Sequence, residues 1–291
     1  MNVLLTGAQG FCGNHLLTYL GGKQLPLWAT ARDWKAVSPA GGNIHRISTD
    51  FSDMDCLPGE IDAVVHAAAS LSIGQATDAD FQKNNTYLTR QLVDYAVNAG
   101  ARLFVFFSAI SVYGEVNSKS VREDTPRVNP DAYSVSKLEG ERYLAAQADS
   151  MASVSLRLPS ILGPGAKHGW LTGVAGKMQR NEAVEFLNPE TPFNNAVHID
   201  DLMMFIEALL TCPPSGATPI NLSLAGQLPV GQVLSSLKEH MNSRSDLRPR
   251  RDADRPGFLI DSSLAQEEFG WQSRDVETLI SSLSSDGAFG V

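Results

Sequence analysis

A glycine-rich turn near the amino terminus constrains this chain more than any other feature. Residues 6–13 read Thr-Gly-Ala-Gln-Gly-Phe-Cys-Gly and follow an apolar run. In a strand–turn–helix unit, Gly7 permits the tight turn, Gly10 lets the backbone approach a pyrophosphate, and Gly13 allows close helix–strand packing. The helix N-terminus then offers N–H groups and partial positive charge to phosphates. The pattern predicts a dinucleotide site, whose contacts in this turn are Gly7, Gln9, Gly10, Phe11 and Gly13.

Short apolar runs alternate with helix-length amphipathic segments as far as residue 160. The predicted strands are 2–6, 25–31, 44–49, 61–68, 102–108 and 153–158, of which 44–49 has the most mixed composition. Helices are predicted over 78–99, before Gly100, and over 131–148, after Pro130. This alternation predicts an α/β fold with a Rossmann-type, doubly wound parallel sheet.

The character of the chain changes after residue 160, where Pro and Gly break it into shorter pieces. We predict a dinucleotide-binding domain over 1–160, to which parts of 193–225 return. Residues 161–291 are predicted to form mainly a small, mostly helical substrate lobe with a last strand or two. The arginine-rich segment 248–255 is predicted to be a loop because of the neighbouring Pro and Gly residues.

Bulk properties exclude several classes of function. The net charge of −9 argues against nucleic-acid and anionic-membrane partners. No apolar run approaches the ~18 residues that span a bilayer, and the start of the chain does not resemble a signal peptide. We therefore expect a cytoplasmic protein. The three widely spaced cysteines predict reduced thiols and no metal site.

The end of the second strand bears on which dinucleotide binds. An NAD site commonly has a carboxylate there, whereas an arginine accommodates the 2′-phosphate of NADP. Ala31 occupies the position of the acid and Arg32 follows it, which favours NADP(H). Asp33 keeps NAD(H) open, and a surface pair between Arg32 and Asp33 is a further interpretation. Asp50, after the third strand, could accept a hydrogen bond from the adenine amino group.

Tyr133 and Lys137 follow Pro130 on a predicted helix. A spacing of four places their side chains on one face, one turn apart. A free tyrosine has a pKa of about 10, too high for proton transfer near neutrality. A neighbouring ammonium and a positive nicotinamide stabilise the phenolate, so we expect a lowered pKa and an acid/base role for Tyr133.

These features together resemble the extended short-chain dehydrogenases/reductases, in the group of NAD-dependent epimerases and dehydratases that mostly act on nucleotide sugars. The resemblance runs almost the full length of the chain. Besides the glycine turn and the Tyr133/Lys137 pair, it includes Asp50-Phe51, residues 62–69, Asn84, 107–114, 157–159, 163–164, 198–201 and 261–271.

The resemblance implies roles for individual residues. Lys137 would hold the nicotinamide ribose, and Tyr133 would exchange a proton with a substrate hydroxyl or carbonyl. The further cofactor contacts that it implies are Asp50 and Phe51 at adenine, then Ala67, Ala68, Ala69, Asn84 and Pro159. It also implies a homodimer through the helices 78–99 and 131–148.

The chain departs from the family pattern at the substrate positions. Ala109 stands where the family usually has a serine or threonine that hydrogen-bonds the reacting oxygen. Strand alternation would put Ser111 on the same side as Ala109, so Ser111 is our candidate third catalytic residue; alternatively it only caps a turn. Ser160 replaces a common asparagine, and Asn194-Asn195 replaces an arginine.

Four arginines occur about where the family places another phosphate-binding arginine. They either bind a diphosphate or form a solvated basic loop. They are Arg248, Arg250, Arg251 and Arg255. The predicted substrate contacts are accordingly Ser111, Ser160, Asn194 and Arg250.

Because Arg32 favours NADP, the leading hypothesis is an NADP(H)-dependent ketoreductase. It would reduce a keto group of a deoxysugar, carried on a nucleotide, with Tyr133 as proton donor. The alternative is an epimerase or dehydratase of nucleotide sugars with NAD as internal catalyst. Ala109 motivates a third reading, a dinucleotide-binding protein without catalysis.

Overall fold

The computed structural model describes residues 1–23, 25–34, 43–71, 76–253 and 257–285. The chain forms two compact units. The first contains 1–114, 127–157 and 203–220, and the second contains the other described residues. The segment 115–126 therefore belongs to the second unit, although it precedes Tyr133 in the chain.

In chain order, the strands and helices are β1 Val3–Thr6, α1 Phe11–Gly21, β2 Leu27–Ala31, β3 Ile44–Ser48, β4 Ala63–His66, α2 Asp78–Phe81, α3 Leu88–Asn98, β5 Leu103–Ala109, β6 Ser120–Val121, α4 Ala132–Ala145, β7 Ala152–Leu158, β8 Ser160–Leu162, α5 Trp170–Gln179, β9 Val184–Leu187, β10 Pro192–Phe193, β11 Ala196–His198, α6 Ile199–Thr211, β12 Ala217–Asn221, β13 Leu228–Pro229, α7 Val230–His240, β14 Leu247–Arg250, β15 Leu259–Ile260, α8 Ser263–Phe269 and α9 Val276–Ser285.

A seven-stranded sheet in the order β12-β7-β5-β4-β1-β2-β3 forms the first unit. Val3 pairs in parallel with Leu27 on one side and Ala63 on the other. All seven residues of β5 are buried, as expected for a parallel strand covered on both faces. The six predicted strands and the Rossmann-type fold are confirmed, including β3 with its mixed composition.

The helix predicted over 78–99 is helical throughout, but it is not a uniform α-helix. Thr77 caps it through a reciprocal pair of hydrogen bonds with Asp80. A π-helical stretch, Gln82–Tyr87, separates α2 from α3. Such π-bulges often mark functional positions because they turn side chains out of the regular α-helical phase.

The second unit contains more strands than the sequence predicts. Its described residues form four two-stranded sheets, which pair β10 with β13, β11 with β8, β14 with β9, and β15 with β6. Its core includes Val174, Phe186, Leu234 and Leu279. The prediction of a loop over 248–255 is wrong at 248–250, because Leu247–Arg250 pairs in parallel with Val184–Leu187. Among the described residues, no helix is long and apolar enough to cross a membrane.

Candidate active site

The glycine turn is shaped by close backbone contacts. Gly7 has φ of 75°, and a Cβ there would lie 2.7 Å from the backbone nitrogen of Ala68. A Cβ at Gly13 would lie 2.0 Å from the carbonyl oxygen of Gly7. Only glycine is accommodated at these two positions. The first turn of α1 has no side-chain cap and no acidic residue, which leaves its positive end available to an anion.

A buried histidine joins the ends of β1 and β4. His66 Nδ1 lies 2.7 Å from Thr6 Oγ1, and His66 Nε2 lies 3.0 Å from Thr89 Oγ1. The backbone N–H of Ala68 also donates to Thr6 Oγ1, at 3.3 Å. Burial, reinforced by the charge of Lys137, lowers the pKa of His66 to about 3. The imidazole is therefore neutral, and it anchors the start of the segment Ala67, Ala68 and Ala69.

Asn85 is a site residue that the sequence reasoning missed. Its side chain is 2% exposed. It accepts from the N–H of Ser70 at 2.7 Å and donates to the Ser70 carbonyl and to Ser136 Oγ, each at 3.0 Å. The predicted cofactor contact Asn84 donates to Ser70 Oγ at 3.0 Å. Two adjacent asparagines inside a helical pattern were the available signal, since asparagine is unfavourable in helix interiors.

A groove of about 430 Å³ borders the ends of β2 and β3, and Arg32 and Asp50 both line it. Asp50 Oδ1 accepts hydrogen bonds from the N–H and Oγ of Ser52, which lower the pKa of its carboxyl group. Asp53 is a second carboxylate in the lining. Phe51 adopts φ of 64° and is buried in the core of the first unit. We call this groove the adenosine groove, after the role that the resemblance implies.

Tyr133 and Lys137 lie one turn apart on α4, which Asp131 caps by accepting from the N–H of Ser134. Lys137 is only 3% exposed, and its Nζ donates to the carbonyl of Phe107 at 2.8 Å. Its Nζ is also 5.8 Å from the centroid of the Tyr133 ring. Burial lowers the pKa of Lys137 to about 7.

The lowered pKa that we expect for Tyr133 depends on a bound nicotinamide as well as on Lys137, and it stays a prediction. Burial, with a smaller contribution from the charge of Asp131, raises the pKa of Tyr133 to about 12. Burial raises the pKa because it removes water that would stabilise the phenolate. An additional positive charge is therefore needed before this tyrosine can lose its proton near neutrality.

The site fits a nicotinamide dinucleotide. An ammonium has three donors, and the described residues provide Lys137 with one hydrogen-bond acceptor, the carbonyl of Phe107. Ribose hydroxyls would supply the acceptors that this buried group still needs. The uncapped first turn of α1 suits a pyrophosphate. Among the described residues, no group of three or more His, Cys, Asp or Glu side chains is placed to hold a metal ion.

Ser111 is close to the catalytic helix, but for a different reason from the one predicted. Strand β5 ends at Ala109, and residues 110–113 form a 3-10 turn, so strand alternation does not reach Ser111. The side chain is nevertheless exposed, and its Oγ accepts a hydrogen bond of 2.8 Å from Ser134 Oγ. Its catalytic role stays a prediction.

The second unit contains the other predicted contacts. Pro159 separates β7 from β8, and Ser160 begins β8 and is half-buried. The amide of Asn194 is engaged at both ends, because its Nδ2 donates to the carbonyl of Ile260 and its Oδ1 accepts from the N–H of Ile260. The substrate contact of Asn194 stays a prediction.

Two of the four arginines are occupied by neighbouring carboxylates. Arg250 donates to Glu185 at 2.9 Å, and Arg248 donates to Asp246 at 2.8 Å. Arg251 is exposed, and Arg255 lies outside the described residues. Recruitment of Arg250 or Arg248 to a diphosphate would require it to exchange its present partner.

A family model now decides the family. The model described as "NAD dependent epimerase/dehydratase family" matches residues 3–225. The chain belongs to this family. It is an NAD-linked enzyme of the extended short-chain dehydrogenase/reductase type, as the motifs predicted.

Individual relatives span nearly the whole chain. It is 28% identical to a UDP-glucose 4-epimerase of Azospirillum brasilense, covering 92% of this chain and 86% of the relative. It is 25% identical to a dTDP-4-dehydro-6-deoxy-D-allose reductase of a Streptomyces species, covering 91% and 89%. The solved structure of MoeE5 in complex with UDP-glucuronic acid and NAD is 25% identical, with a TM-score of 0.82 and 98% of each chain covered.

Proposed function

We propose that this enzyme epimerises a nucleotide-linked sugar at C4, with NAD retained as an internal catalyst. The observation that carries the proposal is the relation, over 92% of the chain, to a UDP-glucose 4-epimerase. The NADP-dependent ketoreductase favoured by Arg32 becomes the second candidate. The two reactions share the same proton chemistry and differ in where the cofactor is regenerated.

The charges in the adenosine groove support NAD over NADP. The described lining contains Arg32 and two carboxylates, Asp50 and Asp53. The hydrogen bonds from Ser52 keep Asp50 ionised. A 2′-phosphate would meet one positive and two negative side chains there, so the attraction of Arg32 is offset. Among the described residues, the lining thus combines hydrogen-bond donors with carboxylates, whereas a dedicated phosphate site favours donors alone.

The first unit supplies the residues for proton transfer. Tyr133 would take the proton of the sugar hydroxyl and later return it, while Ser111 Oγ would hydrogen-bond the same oxygen. Lys137 would hold the nicotinamide ribose. When bound, the oxidised nicotinamide supplies a hydride acceptor and a positive charge that favours the Tyr133 phenolate.

Arg32 and the similarity to the Streptomyces reductase favour the second candidate, an NADPH-dependent ketoreductase. A reductase must exchange its cofactor at every turnover, whereas an epimerase retains it. The two functions therefore predict different cofactor contents and different needs for added cofactor.

The discriminating experiment begins with purification without added cofactor and identification of the bound dinucleotide by mass spectrometry. The protein is then incubated with UDP-glucose, with UDP-glucuronic acid, and with NADPH and a nucleotide-linked 4-ketosugar. The epimerase proposal expects bound NAD and formation of UDP-galactose without added cofactor. Protein that carries no NAD, leaves UDP-glucose and UDP-glucuronic acid unchanged, and oxidises NADPH with a nucleotide-linked 4-ketosugar would overturn it.

We also propose that the enzyme acts in the cytoplasm as a homodimer through the α2–α3 and α4 helices. Tyr87, between α2 and α3, is 59% exposed, which is unusual for a large aromatic residue. Sedimentation of the wild type and of Tyr87→Glu would test the contact, since a charge in a dimer core should dissociate it.

A further inference from the structure

A third residue shares the helix face of Tyr133 and Lys137. Glu141 follows Lys137 by four residues on α4, so the three side chains lie on successive turns of one face. Glu141 is 9% exposed. A carboxylate this deep requires partners for its charge.

The partners of Glu141 come from two strands of the sheet. Ser108 Oγ, on β5, donates to Glu141 Oε1 at 2.6 Å. Arg157, on β7, donates from Nε at 3.0 Å to the same oxygen and from Nη2 at 2.7 Å to Oε2. Arg157 is fully buried. The carboxylate is thus bound by a two-point guanidinium contact and a hydroxyl.

The network continues to the turn that carries Ser111. Arg157 Nη1 donates to the hydroxyl of Tyr113 at 2.8 Å, and the guanidinium carbon is 5.1 Å from the centroid of the Tyr113 ring. Tyr113 is fully buried and ends the 3-10 turn. One guanidinium therefore connects α4 to this turn.

Two adjacent hydrogen bonds connect α4 to β5. Lys137 binds the carbonyl of Phe107, and Glu141 binds the side chain of the next residue, Ser108. Consecutive turns of α4 are thereby held against consecutive residues of β5. A shift of α4 along the strand would break both hydrogen bonds together.

We propose that Glu141, Arg157 and Tyr113 are positioning residues that hold α4, the end of β5 and the Ser111 turn in the geometry that catalysis requires. The inference rests on the proposed function in that Tyr133, Lys137 and Ser111 are its catalytic groups. Buried ion pairs stabilise folds little better than apolar side chains of similar size. Stability alone therefore explains the buried Glu141/Arg157 pair poorly. Its directional hydrogen bonds, which reach α4, β5 and the Ser111 turn, explain it better as a device that fixes their relative positions.

The first test removes one hydroxyl from the network. Tyr113→Phe keeps the ring and deletes the acceptor of Arg157 Nη1. We expect kcat to fall about tenfold, with the KM for the sugar nucleotide within twofold, because bound geometry and not affinity is disturbed. Amide hydrogen exchange should accelerate within 107–113. The matched control, Tyr143→Phe, deletes a hydroxyl on the same helix that donates to Asp94, and it should leave kcat and exchange in 107–113 unchanged.

The second test replaces the charged pair with apolar residues. In Glu141→Leu/Arg157→Met, we expect a melting temperature within a few degrees of wild type but a kcat lower by about 100-fold, the scale of a misplacement near 1 Å. A folded double variant with wild-type kcat, or Tyr113→Phe with wild-type kcat and wild-type exchange in 107–113, would overturn the positioning role. If the double variant does not fold, the comparison of Tyr113→Phe with Tyr143→Phe decides.

Failure of the proposed function has a different signature. If the wild-type protein converts no nucleotide sugar, the epimerase assignment is wrong, but the positioning role of Glu141, Arg157 and Tyr113 is not contradicted. The exchange rates in 107–113 and the affinity for NAD, measured by fluorescence titration, then still report whether the three elements are held together. Equal exchange and equal affinity in wild type and Tyr113→Phe would reject the positioning role in that case too.

Discussion

The region around Tyr133 and Lys137, which we call the nicotinamide end after the role that the resemblance implies, differs in construction from the adenosine groove. At the nicotinamide end, Lys137 is 3% exposed, and the His66, Asn85 and Glu141 side chains are also buried and hydrogen-bonded. In the adenosine groove, Arg32 is exposed and the pKa of Asp50 is lowered by hydrogen bonds from a single serine, Ser52.

The difference separates the chemistry from the choice of cofactor. Buried charges interact strongly and tolerate little change, because water does not screen them. Exposed charges contribute weakly and are easily exchanged. We therefore expect substitutions at the nicotinamide end to lower turnover or stability, whereas substitutions in the adenosine groove should redirect dinucleotide preference.

The largest expected effect is at Tyr133. Tyr133→Phe removes the proton donor and acceptor but keeps the ring, so kcat should fall by about 10²- to 10⁴-fold. NAD affinity should stay within a few-fold. Tyr19→Phe, which removes a hydroxyl that binds Glu207 away from the site, is the control and should retain activity. Turnover by Tyr133→Phe within a few-fold of wild type would reject the mechanism.

A smaller effect is expected from pH, through the buried His66 of the nicotinamide end. The pKa of His66 is lowered from 6.5 to about 3 by burial and by Lys137. Below pH 6.5 His66 is protonated in the unfolded chain but stays neutral in the native protein. Its contribution to the free energy of unfolding is therefore fully present above pH 6.5 and is lost as the pH falls towards 3. Each pH unit in that window costs about 1.4 kcal/mol, or about 2 kcal/mol at pH 5.

Urea unfolding of the wild type and His66→Gln at pH 7 and pH 5 measures this contribution. The wild type should lose about 2 kcal/mol more than the variant between the two pH values. Equal losses in both proteins would mean that His66 is not held neutral by burial. Because Asp50 is exposed, no comparable loss should come from the adenosine groove.

The smallest effect is expected in the adenosine groove. Arg32→Ser should weaken NADP binding by about tenfold, the scale of one charge-assisted hydrogen bond, and change NAD binding less than twofold. Arg102→Ser is the control for loss of a surface charge, because Arg102 precedes β5 whereas Arg32 follows β2. Calorimetric titration with both dinucleotides gives the ratio. If NAD binding weakens as much as NADP binding, then Arg32 does not bind the 2′-phosphate that distinguishes NADP from NAD.

Several parts of this protein follow from local pattern. The six predicted strands, the helices that carry Asn84 and Tyr133, and the glycine turn were all readable because each depends on neighbours a few residues away. The same holds for the Tyr133/Lys137 pair, since helix periodicity alone puts the two side chains on one face. The family followed from the order of these motifs.

Other parts depend on residues that are distant in the chain. Ser108 and Arg157 meet Glu141 from positions 33 and 16 residues away, and Tyr113 meets Arg157 across 44 residues. The alternation of residues along β5 did not reveal that the strand ends before Ser111. No spacing rule reports such contacts, because they exist only after the sheet has assembled.

The amino-acid sequence by itself determined a Rossmann-type enzyme with a glycine turn and a tyrosine–lysine pair. Only the tertiary structure decided how those groups behave. It buries Lys137 and lowers its pKa to about 7, and it raises the pKa of Tyr133 to about 12. It also places Arg32, Asp50 and Asp53 along one groove. The reason is that desolvation and neighbouring charges set the energy of an ionised group, and both are properties of the assembled fold.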